Sequence, residues 1–339
     1  MLKMRRPSAT WRRNIFVAVW AGANIILGWQ LLQGQHAFES QGLPISLLVL
    51  LLCVVALLWW MPSPLQAEPS DQATRKGWFV LIVLIAIGVL LAVVALVGRL
   101  LLIALPIVAV VTLAWLRQPI TRREAMYALG LALVAGLAGL GAGWITFITP
   151  VQWAVLQVFL TLTGLLAGWA MLRHSGLLQK GVGRSLFLTE GVISAGRGLG
   201  QGILIGMPWA LGTVVMGGSM GSREAWVHAW WQPIIAIQPG IAEEAWGRLL
   251  LVPLLFLALR RVSPTHRAFP AALIVIGYWF AYLHTSGGPG AIFSTLTIGT
   301  LFALPLSYVC LYRDLETAIG FHFWIDCVKF AFALILFNR

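Results

Sequence analysis

Charge is scarce in this sequence. Asp, Glu, Lys and Arg make up 10% of its 339 residues, against about 25% in an ordinary soluble domain. Acidic residues are the scarcer sign, 11 against 23 basic ones. A chain that is 60% apolar with so few charges cannot keep its surface wet. This excludes a soluble globular protein and a disordered one, and leaves an all-α, multi-spanning membrane protein. Cysteine is nearly absent as well. Cys53, Cys310 and Cys327 lie scattered in apolar runs with no CxxC or Cys/His ligand spacing, so they read as small buried hydrophobes. HExxH is missing, and no GxSxG nucleophile elbow stands near His284 or His322. The net charge of +12 would suggest a nucleic-acid partner in a soluble chain. In a membrane chain it fits cationic loops held on one side of the bilayer, with lipid rather than nucleic acid as neighbour.

What is abundant is long apolar runs. A bilayer core of about 30 Å takes about 20 residues of helix. Runs of that kind fall near 14–33, 44–62, 77–98, 100–116, 126–147, 151–172, 198–216, 233–258, 269–288, 291–311 and 315–337, eleven in all. The first follows Lys3, Arg5, Arg6, Arg12 and Arg13 and reads as a retained anchor rather than a cleaved signal. Threading the runs alternately places 18 of the 23 Lys and Arg on the side of the N-terminus and three on the other, with Arg248 and Lys329 inside spans. That asymmetry predicts a cytoplasmic N-terminus; the membrane expected for this chain is a bacterial inner membrane. Trp59-Trp60 and Trp230-Trp231 fit interfacial belts. The Gly-rich stretch Gly181 to Gly202 reads as a surface connector between an N-terminal six-helix block (1–178) and a C-terminal block (179–339).

Ionisable groups at the bilayer centre cost roughly 2.5–3.5 kcal/mol each on insertion scales, so their positions carry information. The first six runs hold no acid and no histidine in their interiors. The last four hold, away from their edges, Glu243, Glu244, Arg248, His284, His322, Asp326 and Lys329. Glu244 and Arg248 are four residues apart on one helix face and can pair. Glu243 points about 100° from Glu244 on an α-helix and is free to meet another partner. His284 has no local partner, so another span or water must satisfy it. His322 and Asp326 are also four apart, with Lys329 three further on. Two histidines and an unpaired carboxylate are what acid–base chemistry requires, and are an expensive way to glue helices together.

These residues form Glu243-Glu244-x-x-x-Arg248, Phe280-x-x-x-His284 and His322-x-x-x-Asp326, one motif per apolar helix and in that order. The pattern resembles the CPBP family, the CAAX-type intramembrane proteases and bacteriocin-processing or self-immunity proteins also called ABI proteins. The resemblance covers roughly residues 180–339. It implies a glutamate-dependent intramembrane peptidase that needs no metal and no cofactor, acting on a membrane-associated protein or peptide. Glu243 would be the general base, His284 would help to hold the attacking water, and His322 with Asp326 would form the oxyanion-stabilising side. Glu244 and Arg248 would fix the Glu243 helix, with Phe280 in support. Three positions differ from what is common in the family. Gly247 precedes the motif arginine and Leu249 follows it, where many members have an aromatic residue and a glycine. Asp326 stands where asparagine is common. An ionised aspartate can only accept hydrogen bonds, so its expected role is to orient His322 and stabilise its protonated form.

At 1.5 Å per residue, the span limits put His284 and His322 at depths differing by roughly 14 Å, too far to share one water. A break at Pro239-Gly240, just before Glu243, is one way to close that gap. The rival readings are a zinc peptidase using the glutamate and the two histidines, a proton-coupled transporter, and a non-catalytic relative serving as membrane scaffold or immunity partner. Cys327 adjoins Asp326 but points about 100° away, which argues against a cysteine nucleophile.

Overall fold

The computed structural model describes residues 95–142, 149–220, 226–261, 263–284 and 291–337. The expected spans at 14–33 and 44–62, most of the one at 77–98, Cys53 and the Trp59-Trp60 pair lie outside them. Among the described residues the chain is helical throughout, with no strand. The helices are α1 (Ala95–Leu116), α2 (Arg122–Gly139), α3 (Pro150–His174), the single turn α4 (Leu186–Thr189) and α5 (Val192–Met220). After a 3-10 turn (Gln232–Ala236) come α6 (Ile237–Glu243), a π-helical segment (Glu244–Leu250) and α7 (Leu251–Leu259). Then follow α8 (Thr265–Leu283), α9 (Ala291–Ile298), a second π segment (Gly299–Ala303), α10 (Leu304–Tyr312) and α11 (Leu315–Phe337). Three helical stretches, Pro150–His174, Thr295–Tyr312 and Leu315–Leu336, are long and apolar enough to cross a membrane.

Local sequence explains the starts. Thr121 caps α2 and Thr149 caps α3, each in a reciprocal box with Glu124 or Gln152 three residues on, and Pro150 fills the first position of α3, where no N–H is needed. Asp314 caps α11 by accepting from the Thr317 N–H at 2.7 Å and the Thr317 hydroxyl at 2.9 Å. Where the sequence suggests a boundary at Arg99, α1 runs straight through.

Both π segments run into a proline, which has no N–H to give to the carbonyl four residues back. Pro253 lies in the first turn of α7 and Pro305 in the first turn of α10. The ladder shifts to i−5 there: the N–H of Leu251 donates to Trp246 O and that of Leu304 to Gly299 O. Pro305 would have served Leu301, and the Trp209 indole N–H instead donates to Leu301 O at 2.6 Å. The expected break at Pro239-Gly240 is not present. Both residues are inside α6, and the irregularity falls five residues later, at the Glu243/Glu244 junction.

The largest core joins Ala128 and Ala135 of α2 and Leu165, Trp169 and Leu172 of α3 to Ile241, Ala245 and Leu249, and onward to Phe269 of α8 and Ile319 of α11. The helix carrying Glu243 is therefore packed on both sides of the expected 178/179 division. The approach is close at Gly168 of α3, where a Cβ would stand 2.6 Å from Leu249 O. On the other flank α11 packs most extensively against α5. A Cβ on Gly202 would lie 2.1 Å from Thr317 O, and one on Gly320 2.2 Å from Leu199 O. The C-terminal part of the Gly181 to Gly202 stretch thus belongs to a helix interface rather than to a surface connector. Its glycines let two backbones touch, as small residues do between membrane helices. On the outside of the bundle, Ile107, Leu137, Val155, Leu204 and Leu211 point outward and exposed.

Candidate active site

Three elements meet around one carboxylate. Glu243 ends α6, His284 caps the C-terminal end of α8, and His322 lies in the third turn of α11. His284 Nε2 stands 3.9 Å from Glu243 Oε1, and His322 Nε2 3.5 Å from Glu243 Oε2. The depth difference expected between the two histidines is therefore not found. One is at a helix end and the other well inside its helix, so α8 and α11 are staggered rather than level.

The π segment changes what the two glutamates do. A π turn takes more residues per revolution than an α turn, so neighbouring side chains splay less than the 100° of an α-helix. Glu243 and Glu244 consequently reach the same imidazole from one helix. Glu244 Oε1 is 2.8 Å from His322 Nδ1, while Nε2 faces Glu243 and also Asp326 Oδ2 at 3.4 Å. Arg248 Nη1 lies 3.3 Å from Glu244 Oε1 and also 3.3 Å from the Glu243 carbonyl, to which it donates. Glu244 and Arg248 are sealed from solvent, at 0% and 1% exposure. Cys310 of α10 is fully buried in the apolar core, as expected of a small hydrophobe, and the Glu244 charge acts on its thiol.

Phe280 links the motifs. The Arg248 guanidinium sits over its ring, 3.9 Å from the centroid, and the His284 ring packs on it at 4.6 Å. His284 Nδ1 is 2.9 Å from Phe280 O. A carbonyl only accepts, so Nδ1 carries the proton and Nε2 is the nitrogen turned to Glu243. This local bond supplies the partner that the sequence did not reveal.

Exposure rises across the group from Glu244 at 0% and His322 at 8% to Glu243 at 17%, Asp326 at 19% and His284 at 41%. The site therefore opens on the His284 side. Among the described residues Glu243 Oε2 is buried with no hydrogen bond, and the 3.9 Å from Oε1 to His284 is beyond direct hydrogen-bonding reach. Oε2 keeps only the 3.5 Å ionic contact with His322 Nε2, and Glu244 Oε2 and Arg248 Nη2 are likewise buried without a hydrogen bond. Chemically, the cluster can take a proton at Glu243, hold a small polar molecule between Glu243 and His284, and present His322 Nε2 to a developing negative charge.

Lys329 lies one turn beyond Asp326, and its charge acts on that carboxylate. Sequence reasoning passed over Glu316. This buried carboxylate accepts from the Ser185 hydroxyl at 2.6 Å, the Tyr127 hydroxyl at 2.8 Å and the N–H groups of Leu186 and Phe187 at 2.8 and 3.1 Å. It ties α11 to α2 and α4, so its role is architectural. Its place in the first turn of a capped helix hid it among ordinary helix-start acids. No group of three or more His, Cys, Asp or Glu among the described residues is arranged to hold a metal ion. Compared with known protein families, with curated proteins and with solved structures, the chain has no match.

Proposed function

We propose that the chain is a multi-pass membrane protein of about eleven spans whose C-terminal block is a glutamate-dependent peptidase of CPBP type. It hydrolyses a peptide bond of a membrane-associated protein or peptide. The observation that carries this reading is the Glu243 carboxylate, set between the Nε2 atoms of His284 and His322 with one oxygen buried and unbonded.

In this reading a water sits between Glu243 Oε1 and His284 Nε2. It gives one hydrogen bond to each, because His284 spends its only neutral-state proton on Phe280 O. Glu243 takes the proton as the water oxygen bonds to the substrate carbonyl carbon. The carbonyl oxygen gains the negative charge and is met by His322 Nε2–H. Collapse of the tetrahedral intermediate breaks the C–N bond, and the proton held by Glu243 passes to the leaving amine. The resemblance in the three motifs supports the assignment.

The membrane setting rests on the apolar runs, the outward-facing leucines, isoleucines and valines, and the charge asymmetry between loops. Eleven spans and a cytoplasmic N-terminus put the C-terminus on the far side of the inner membrane. A reporter active only in the cytoplasm, fused to either end, checks this: signal at the N-terminus alone is expected.

The test of function is cleavage by the purified protein in lipid nanodiscs. The substrates are quenched-fluorescence peptides bearing free, prenylated or apolar membrane-anchoring ends. Wild-type protein is expected to cleave one class, and Glu243→Gln to lose at least about 10³-fold while keeping its fold. A Glu243→Gln protein as active as wild type would sink the reading.

A further inference from the structure

The second motif glutamate does more than brace its helix. Resting on the peptidase reading above, we infer that Glu244 is the counter-ion that keeps a proton on His322 Nδ1 and thereby aims Nε2–H at the Glu243 side of the site. It is a positioning residue for the proposed oxyanion donor.

Glu244 shares one oxygen, Oε1, between Arg248 Nη1 at 3.3 Å and His322 Nδ1 at 2.8 Å. The Arg248 guanidinium is permanently charged and as deeply buried as its partner, and a buried cation beside a buried carboxylate keeps that carboxylate ionised. An ionised carboxylate has no hydrogen to give, so the proton in the 2.8 Å contact belongs to Nδ1. Nε2 is then the nitrogen left for chemistry, and its neighbours there are the acceptors Glu243 and Asp326. Facing acceptors, it serves best as a donor, which requires the imidazolium. The arrangement parallels a carboxylate holding the far nitrogen of a catalytic histidine, where the carboxylate fixes ring and tautomer without reacting itself.

Asp326 was expected to orient His322. It meets Nε2, the same nitrogen that faces Glu243, whereas Glu244 holds Nδ1 from the neighbouring helix. The division of labour therefore shifts: Glu244 orients the ring, and Asp326 shares the working nitrogen. Among the described residues, the charged and titratable groups around His322 are Glu243, Glu244 and Arg248 from the α6–π segment, Asp326 and Lys329 from its own helix, His284 from α8 and Cys310 from α10. Of these, Glu244 alone holds Nδ1.

The experiment uses full-length protein with ¹⁵N-labelled histidine in nanodiscs, and His322 is assigned by difference from His322→Gln. The wild-type ring is expected to carry a proton on Nδ1 in both its charge states. Glu244→Gln is expected to surrender the imidazolium at lower pH. A wild-type neutral ring with a bare Nδ1 overturns the inference, and this spectrum decides it even if Glu244→Gln does not fold. In the cleavage assay, Glu244→Gln is expected to lose about 100-fold in kcat at neutral pH with KM unchanged, and its alkaline limb is expected to move to lower pH. A purely structural Glu244 would lower the amount of active protein and leave that limb in place, which also overturns the inference. If wild-type protein cleaves nothing, the peptidase reading falls, while the spectrum still decides whether Glu244 holds Nδ1.

Discussion

The Arg248 guanidinium rests on the Phe280 ring, 3.9 Å from its centroid, while the far side of the same cluster delivers His284 to Glu243. One aromatic side chain thus fixes a cation on one helix and an imidazole on its own. Arg248→Ala would leave Glu244 buried without its cation and is expected to destabilise the protein by about 3–5 kcal/mol. Arg248→Lys keeps the charge but not the planar stack, and is expected to fall between the two. Thermal unfolding in detergent, followed by tryptophan fluorescence, checks the order. Equal stability of Arg248→Ala and wild type would mean that the pair and the stack hold nothing.

His284 is the most exposed member of the site, and its Nδ1 is spent on Phe280 O. Replacing it with Ala removes one of the two holders of the proposed water but leaves Glu243 and His322 in place. A loss of about 10²–10⁴-fold in kcat is expected, with little change in stability. A variant that lost stability and activity together would show that the ring serves packing instead.

Chelation separates the zinc alternative. The carboxylates and imidazoles of the site do not converge three ligands on one point among the described residues. Cleavage is expected to survive both EDTA and 1,10-phenanthroline. Activity lost to chelator and restored by zinc would replace the proposed mechanism with a metal-centred one.

The helical class was legible because long apolar runs mark helices, and three of the expected runs return as helices long and apolar enough to cross a membrane; the site was legible because buried charge is expensive. Glu243, His284, His322 and Asp326 stood out on those grounds, and the structure brings them together. What was hidden came from backbone irregularity. Pro239-Gly240 looked like the break, yet the ladder slips at Glu244, ahead of Pro253, and that slip turns both glutamates toward one imidazole. Helical-wheel geometry assumes α turns and so separated them. The helix limits likewise carried no information on stagger, which is why the two histidines looked too far apart. Glycine in the Gly181 to Gly202 stretch reads equally well as a loop or as a close helix contact, and only the partner helix distinguishes the two.

That last ambiguity yields a paired test. Gly202 and Gly200 are two residues apart on α5, but only Gly202 meets α11: its Cβ would lie 2.1 Å from Thr317 O, whereas Gly200 has nothing within 4 Å. Gly202→Ala is expected to force the helices apart and destabilise by at least about 1–3 kcal/mol. Gly200→Ala is expected to be neutral or to stabilise by up to about 1 kcal/mol, through helix propensity. Unfolding midpoints that moved alike in both variants would contradict the close crossing.

Glu316 offers a test of architecture away from the proposed chemistry. Its carboxylate gathers two hydroxyls and two backbone N–H groups from α2 and the start of α4, and it is 1% exposed. Glu316→Ala strands all four donors, at about 1–3 kcal/mol for each that water cannot reach. Glu316→Gln keeps one acceptor oxygen and is expected to lose less. Because Glu316 lies six residues before His322 on the same helix, a weakened anchor there also loosens the register of α11 against α6. Residual cleavage by folded Glu316→Gln is therefore expected to show a lower kcat with an unshifted pH profile, the opposite signature to Glu244→Gln. A shifted pH profile in Glu316→Gln would mean that its charge, and not its grip on the helix, reaches the site.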